Sequence, residues 1–371
     1  MSSLEKMKIL TDSAQYDLCD SVTHNKSSQV NLPGIYHTTG FNGCKIPLFK
    51  TLMSNKCNND CKYCINQSKR NFTRLELSPE ELAKAFLGYY NKGLVNGLFL
   101  SSGISGSIEN TMENEIECVN ILRNKYGYDD YIHLKIVPGA SKDSIKRAMS
   151  LANRVSINIE AATPSGLSEL SSTKDYNKDI LKRLSWINSF ENKSTTYPNS
   201  THTTQLIVGA NSESDLEILK RMEKIYRKSK LKRTYFSAFT PVDETEFSSK
   251  KACATDRTNK LYNADSLLND YHYNVDELVF GDDDNLSLIR DPKILAAKKM
   301  DIFPVEINTA PLIELIRVPG IGIKSAREII KNRKKKRYTN KDELKQLGVV
   351  VSRAEPYIKI SGEYQSTFDN L

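Results

Sequence analysis

The stretch Cys57-Asn-Asn-Asp-Cys61-Lys-Tyr-Cys64 puts three thiols within eight residues at C-x3-C-x2-C spacing. That spacing lets one short loop wrap one side of a metal cluster, and soft thiolates suit zinc or iron–sulfur centres. A zinc site would want a fourth Cys or His at close range, usually in a second C-x2-C or H-x3-5-H pair. The other cysteines, Cys19, Cys44, Cys118 and Cys253, are scattered singly. Three ligands without an evident fourth suggest a [4Fe–4S] cluster with one iron open to a small molecule. The competing reading is a zinc knuckle, or three unrelated buried thiols.

Upstream of the loop, Ile46–Met53 is a mostly apolar run that predicts a buried strand feeding it. Downstream, Ser78-Pro-Glu-Glu81 combines an N-cap, a proline at the first helical position and a capping-box glutamate, predicting a helix to about Asn91. Strands are then predicted at Gly97–Ser102, Tyr131–Val137, Val155–Glu160, Thr204–Val208 and Thr234–Phe239. Helices are expected between them, over about 112–125, Lys142–Asn153, about 177–190 and Glu213–Lys228. Strands alternating with helices at this spacing argue βα units on a parallel sheet. The expected fold class is α/β: a partial six-stranded (β/α)6 barrel over residues 46–241. Residues 1–45 read as a helical and loop extension, with helix-like spacing over 4–18 and loop composition over 20–45. Residues 191–202 read as a polar loop, and residues 242–307 as a mixed connecting region. In that region a helix is expected over 259–271 and another from Asp291-Pro292 to Lys299.

Residues 308–362 form the last unit, expected to be a small all-α domain. Asn308-Thr309 could cap a first helix, Val318-Pro-Gly-Ile-Gly-Ile323 interrupts it, and a second helix runs on from Lys324. This resembles a helix-hairpin-helix motif. A weaker echo, Leu347-Gly-Val-Val-Val351, follows 28 residues later, with Val350 standing where the first copy has Gly322. The charge supports a polyanion partner here. Asn308–Ile360 carries 13 Lys and Arg against 5 Asp and Glu, which accounts for the whole net charge of +8. A neutral body with a small basic appendage reads as an enzyme core plus a polyanion-binding module. Gly320 and Gly322 let the backbone bend with amides exposed at a helix start, and Lys324, Ser325 and Arg327 add donors. Such groups read phosphates and not bases, so DNA contacts would be independent of sequence. A helix-hairpin-helix used for protein contact is the alternative.

The cysteine motif, with aromatic Tyr63 before its last thiol, resembles that of the radical S-adenosylmethionine (SAM) superfamily, whose members are built on such partial barrels. The resemblance narrows with Phe99-Leu-Ser-Ser-Gly103, Tyr131-Ile-His-Leu-Lys135, Pro138-Gly-Ala140 and Ser156-Ile-Asn-Ile-Glu160 ahead of the hairpin unit. Together these are similar to putative DNA modification/repair radical SAM proteins over about residues 4–360. The resemblance implies a [4Fe–4S] cluster on Cys57, Cys61 and Cys64, with SAM on the fourth iron and Tyr63 beside it. It implies that Ser101, Ser102 and Gly103 receive the SAM amino group, although the common Gly-Gly-Glu is Ser-Ser-Gly here. Glu160 and Asn158 would face the ribose, and Gln205 and Gly209 the adenine. His133 and Lys135 could touch substrate, although His133 fits a core position equally. No catalytic residue beyond the cofactor ligands is legible.

The expected function is reductive cleavage of SAM to a 5′-deoxyadenosyl radical acting on DNA, in modification or repair. An enzyme acting on RNA or protein, with the hairpins as adaptor, is one alternative. A non-catalytic Fe–S or zinc DNA-binding protein is another. The partners implied are DNA, an electron donor such as flavodoxin or ferredoxin, and a uracil-DNA-glycosylase-like protein. No apolar run approaches the ~18 residues of a membrane span, and the N-terminus lacks a signal-peptide pattern. An odd cysteine count without a disulfide framework fits the reducing cytoplasm.

Overall fold

The computed structural model describes residues 3–14, 32–39, 44–191 and 200–364. Cys19, most of the 20–45 loop expectation and residues 192–199 of the second expected loop lie outside these. The chain forms two compact units. One comprises Met1–Glu213 with Lys224–Thr258, the other Ser214–Glu223 with Asn259–Leu371.

The first unit begins with α1 (Ser3–Ser13) and is built on a seven-stranded sheet. Its strands are β1 (Ile35–Thr39), β2 (Lys45–Leu52), β3 (Gly97–Ser101), β4 (Tyr131–Lys135), β5 (Arg154–Ser156), β6 (Thr201–Val208) and β7 (Arg233–Ala238), in that spatial order. The six from β2 to β7 run parallel, as expected of βα units. β1 is an addition. Residues 35–39, read from composition as loop, pair antiparallel with β2 and cover its open edge. An uncovered edge would leave a row of unpaired backbone groups, so even a polar segment is recruited to it.

Between the strands run α2 (Pro79–Tyr90), α3 (Ile108–Asn120), α4 (Lys142–Leu151), α5 (Pro164–Leu170), α6 (Lys182–Phe190) and α7 (Asp215–Lys228). Their starts are chemically explicit. Ser78 and Glu81 form the reciprocal capping box of α2, Ser141 caps α4, and Thr163 caps α5 ahead of Pro164. The sheet's outer face is apolar: Phe49 packs its ring 4.8 Å from Tyr89 and 6.0 Å from Phe86 of α2. His133 is buried on the inner face, its ring stacked 4.4 Å from Phe99 and its Nε2 2.9 Å from the Ser156 hydroxyl. It is a core histidine.

The expected strand Val155–Glu160 is shorter. β5 ends at Ser156, Ile157 keeps one amide bond to the Thr203 carbonyl, and Glu160 rejoins the sheet by a single bridge to Leu206. The Thr204 hydroxyl replaces the missing ladder, accepting from the Ile159 amide at 3.1 Å and donating to the Ile157 carbonyl at 2.7 Å. A buried backbone group must find a partner, and a side chain serves where the strand cannot.

The second unit contains α9 (Pro292–Lys299), α10 (Leu312–Leu315), α11 (Ile323–Asn332), α12 (Asp342–Lys345) and α13 (Val351–Ala354). The preceding helix α8 (Thr255–Asn269) enters it. Its core joins Ile307, Leu315, Val318, Ile321, Ile329 and Leu344 among others. The two hairpins face each other. Gly320 takes φ +83° and Gly348 φ +77°, so the echo copies the left-handed turn of the first hairpin. The Gly320 carbonyl accepts from the Val350 amide at 2.9 Å. A β-carbon on Gly320 would lie 2.4 Å from the Val350 carbonyl oxygen, so only glycine fits there.

Two expectations change in this unit. Asn308 does not cap a helix. Its amide bridges the Tyr338 backbone, donating to the carbonyl at 3.0 Å and accepting from the amide at 2.9 Å, while α10 starts after Pro311. The unit is also not helical alone: β8 (Val305–Glu306), β9 (Ile358–Ile360) and β10 (Glu363–Tyr364) form a small sheet. The Glu306 carboxylate fastens it by accepting from the Asn308, Ser361 and Gly362 amides. Arg317 ties α10 to the end of α8. It pairs with Glu277 at 3.0 Å, donates to the Tyr271 and His272 carbonyls, and lies 3.9 Å over the Tyr273 ring.

Candidate active site and hairpin module

At the C-terminal ends of the parallel strands lies an open cavity of about 150 Å³. Cys57, Cys61 and Cys64 all line it, with Tyr63, Ser102, Gly103, Asn158, Glu160 and Gln205. The strand order brings together residues up to 148 positions apart, because every βα crossover returns the chain to the same end of the sheet. Two expected members stand outside. Ser101 is buried as the last residue of β3, its carbonyl accepting from the Met53 amide. Gly209 takes φ +82° where a β-carbon would fall 2.8 Å from that of Cys253, so it serves the backbone turn.

The cysteine loop is held from three sides. The Gly103 amide donates to the Ser54 carbonyl at 2.7 Å, and a β-carbon on Gly103 would sit 2.3 Å from the Lys56 carbonyl oxygen. This glycine is therefore required by the loop passing over it. The Arg74 guanidinium donates to the carbonyls of Asn55, Asn66, Gln67 and Arg70, closing the loop's far side. On the third side, Asp60 accepts from Ser171 Oγ at 2.6 Å, from the Ser172 amide and hydroxyl, and from Thr173 Oγ1 at 3.1 Å. α1 adds a further tie: the Ser13 carbonyl accepts from the Asn66 side chain at 3.1 Å, and Ser13 lines the cavity.

Burial alone would raise the Asp60 pKa, but the Ser171, Ser172 and Thr173 donors outweigh it and hold the carboxyl well below the ordinary range. The stability this contributes is present above the unfolded carboxylate value, near ~3.9, and is lost as pH falls below it. Asp60→Asn is expected to cost about 1–2 kcal/mol at pH 7. Urea unfolding should show that difference shrinking by pH 3; a difference independent of pH would show that Asp60 is not held as a carboxylate.

Lys174 carries no signal in the sequence, yet it lines the cavity. It follows the Ser171–Thr173 clasp, which carries it inward. Its ammonium lies 3.6 Å from Glu160 Oε1, and both side chains are only 8% exposed. Its pKa is raised, because the neighbouring Cys61 and Glu160 outweigh the opposing effect of burial. Glu160 has φ +61°, a left-handed conformation costly for a side-chain-bearing residue and held here by the Leu206 bridge. Its Oε2 is buried without a hydrogen-bond partner among the described residues.

Burial raises the Cys61 thiol and pushes Cys64 up to about 12. A bound metal would take the place of the thiol protons. Among the described residues, no three His, Cys, Asp or Glu side chains are grouped as ligands of one ion. Each cysteine of a cluster binds a different iron, so its ligands ring a cavity and do not converge on a point. Three thiols around one cavity that Glu160 and Lys174 also line fit a [4Fe–4S] cluster with a polar organic ligand beside it.

In the hairpin module, Lys324 and Arg327 are exposed on α11. Ser325 is not: it is 6% exposed on the inner face with Ala326 and Ile329, turned toward Gly348. The helical period puts residue 325 on the core side, so it presents no donor to a ligand. Gly322 is the N-cap of α11. Among residues 331–337, Lys331, Lys334, Lys335, Lys336 and Arg337 are exposed.

Residues 51–225 match the family model of the Radical SAM superfamily, and residues 302–350 that of the helix-hairpin-helix motif. The first unit thus holds a radical SAM domain, of a superfamily of enzymes that use a [4Fe–4S] cluster and SAM. The second unit holds a helix-hairpin-helix. Among solved structures, the FeFe-hydrogenase maturase HydG from Carboxydothermus hydrogenoformans is 15% identical over 60% of this chain and 51% of its own, with a TM-score of 0.46. Methylornithine synthase (PylB) is 12% identical over 60% of this chain and 63% of its own, with a TM-score of 0.49. The chain spans about half the length of the HydG structures it matches. No curated protein matches it significantly. No described helix is long and apolar enough to cross a membrane.

Proposed function

We propose that this protein reductively cleaves SAM and directs the resulting radical at a nucleotide of DNA. The observation that carries the first half is the ring of Cys57, Cys61 and Cys64 around a cavity that also receives Glu160. When bound, the cluster supplies one electron to the SAM sulfonium, releasing a 5′-deoxyadenosyl radical. The chain's own residues do the rest. The Asp60 and Arg74 clasps fix the cysteine loop, the Glu160 carboxylate would accept from ribose hydroxyls, and Ser102 and Gly103 would receive the amino-acid end. Tyr63 stands beside the cysteines, and Asn158 and Gln205 line the nucleoside side. The electron would come from a flavodoxin- or ferredoxin-type donor in a reducing cytoplasm.

The DNA half rests on the exposed cations of α11 and the run behind it, in the part of the chain that holds the whole net charge. These contacts would be made to phosphates, independent of sequence. A cavity of about 150 Å³ admits no duplex, so the target nucleotide would be extruded, at a cost of a few kcal/mol that mismatched or damaged sites lower. A uracil-DNA-glycosylase-like partner, implied by the family resemblance, would suit such a substrate. The test is random-sequence duplex binding over a salt series. Lys324→Glu with Arg327→Glu should weaken binding by about a hundredfold and flatten the salt dependence. Unchanged affinity in that variant would remove DNA as the partner of the hairpins.

A further inference from the structure

Beside the first hairpin, within the second unit, lies a separate cavity of about 180 Å³. Asn263, Tyr271, Lys293, Gly320 and Arg353 line it together with Asp291. None of these except Gly320 belongs to the phosphate-binding set read from the hairpin sequence. We propose that this cavity is a second phosphate subsite, in which Lys293 and Arg353 take one phosphodiester of the bound DNA strand. The inference rests on the DNA reading above and adds to it a specific pair of cations from outside α11.

The geometry supports a built site. The Lys293 ammonium is fixed against the hairpin itself, donating to the Ile321 carbonyl at 2.7 Å and lying 4.5 Å over the Tyr271 ring. One carbonyl uses one of its three protons and leaves donors for an anion. The Tyr271 hydroxyl lies beside Gly322 at the start of α11, where it can donate to an anion. Arg353 comes from α13 of the second hairpin, so the cavity is completed only where the two hairpins meet. Asp291 is the one carboxylate lining the cavity, and it is engaged. Its Oδ1 caps the Lys293 amide at 2.8 Å, and its Oδ2 meets Arg353 at 3.4 Å. With Lys293 protonated, two cations against one carboxylate leave a net positive charge for an anion to neutralise.

Burial, only partly offset by Asp291 and reinforced by Arg317, pulls the Lys293 pKa down to about 7. The charged and titratable groups around it are therefore Asp291, Arg317, Tyr271 and Arg353. A bound phosphate favours the ammonium, so binding takes up a proton above neutrality. Affinity should fall as pH rises through about 7 and on toward 9.

The experiment uses the full-length protein, a labelled random duplex and fluorescence anisotropy over salt at pH 6.5 and pH 8.5. Wild type, Lys293→Met and Arg353→Gln are compared, with a parallel thermal-shift series in inorganic phosphate against chloride at matched ionic strength. Each variant should lose about five- to tenfold in affinity and lower the salt slope by about one contact, and Lys293→Met should also lose the pH dependence. Arg353→Gln, at an exposed position, serves where Lys293→Met fails to fold. Wild-type slope and affinity in the folded variants overturn the subsite while the DNA reading stands. If the wild type ignores duplex but gains stability from phosphate through Lys293 and Arg353, the cavity is a phosphate site and the DNA reading fails. Neither response in the wild type overturns both.

Discussion

Replacing Cys57, Cys61 or Cys64 by alanine, one at a time, should abolish the cluster and with it all SAM cleavage. After anaerobic reconstitution, each variant should hold well under one cluster's worth of iron and show no reduced-cluster paramagnetic signal. The effect would be all-or-none because each thiolate would hold a different iron, and a cluster edge left without its ligand opens to solvent. The fold should persist. Cys57 and Cys64 are only partly buried, and apart from the Asn66 amide on Cys64 Sγ the loop is held by Arg74, Asp60 and Gly103. Cys118 is the internal control. It is buried in α3, away from the cavity, with its thiol pushed up by burial, so Cys118→Ala should leave iron content unchanged. Full iron binding in Cys57→Ala would sink the assignment of the ligands.

The second large effect should come from Lys174→Met. The change leaves the Glu160 carboxylate inside the cavity wall without its cation, and breaking one side of a buried pair costs about 3 kcal/mol. Urea unfolding of the apo-protein measures it. Replacing Glu160 by Gln in the same chain removes the stranded charge, so the double variant should regain most of that loss. Lys174→Arg should keep the charge while misplacing it, and so fall between. Equal losses in Lys174→Met and the double variant would mean the two side chains do not interact.

Hydrophobic content and alternating patterns made the barrel legible, and the cysteine spacing made its chemistry legible, because both are local in sequence. Ser78-Pro-Glu-Glu81 specified a helix start from four residues, and it forms with both capping-box bonds. The bend at Gly320 was legible for the same reason, and it takes a left-handed backbone few other residues tolerate, whereas Gly322 has an ordinary extended φ of −88°. The hairpin's basic character needed only counting.

What sequence could not supply were the partners brought together by long chain returns. Lys174 sits in a polar stretch with nothing to mark it, and it enters the cavity only because Asp60, 114 positions earlier, clasps the residues before it. The β1 edge was misread because pairing to a neighbour, not composition, made it a strand. Ser325 looked like a donor in the linear motif, and the helical period turned it to the core. Gly103 lines the cavity as expected, and what its lack of a side chain answers to, the Lys56 carbonyl, was not legible. By itself, the sequence determined the barrel, the cysteine triplet and the basic appendage, since each rests on spacing or charge within a few residues. Only the tertiary structure decided which polar side chains share a cavity, because that depends on where distant segments are held against one another.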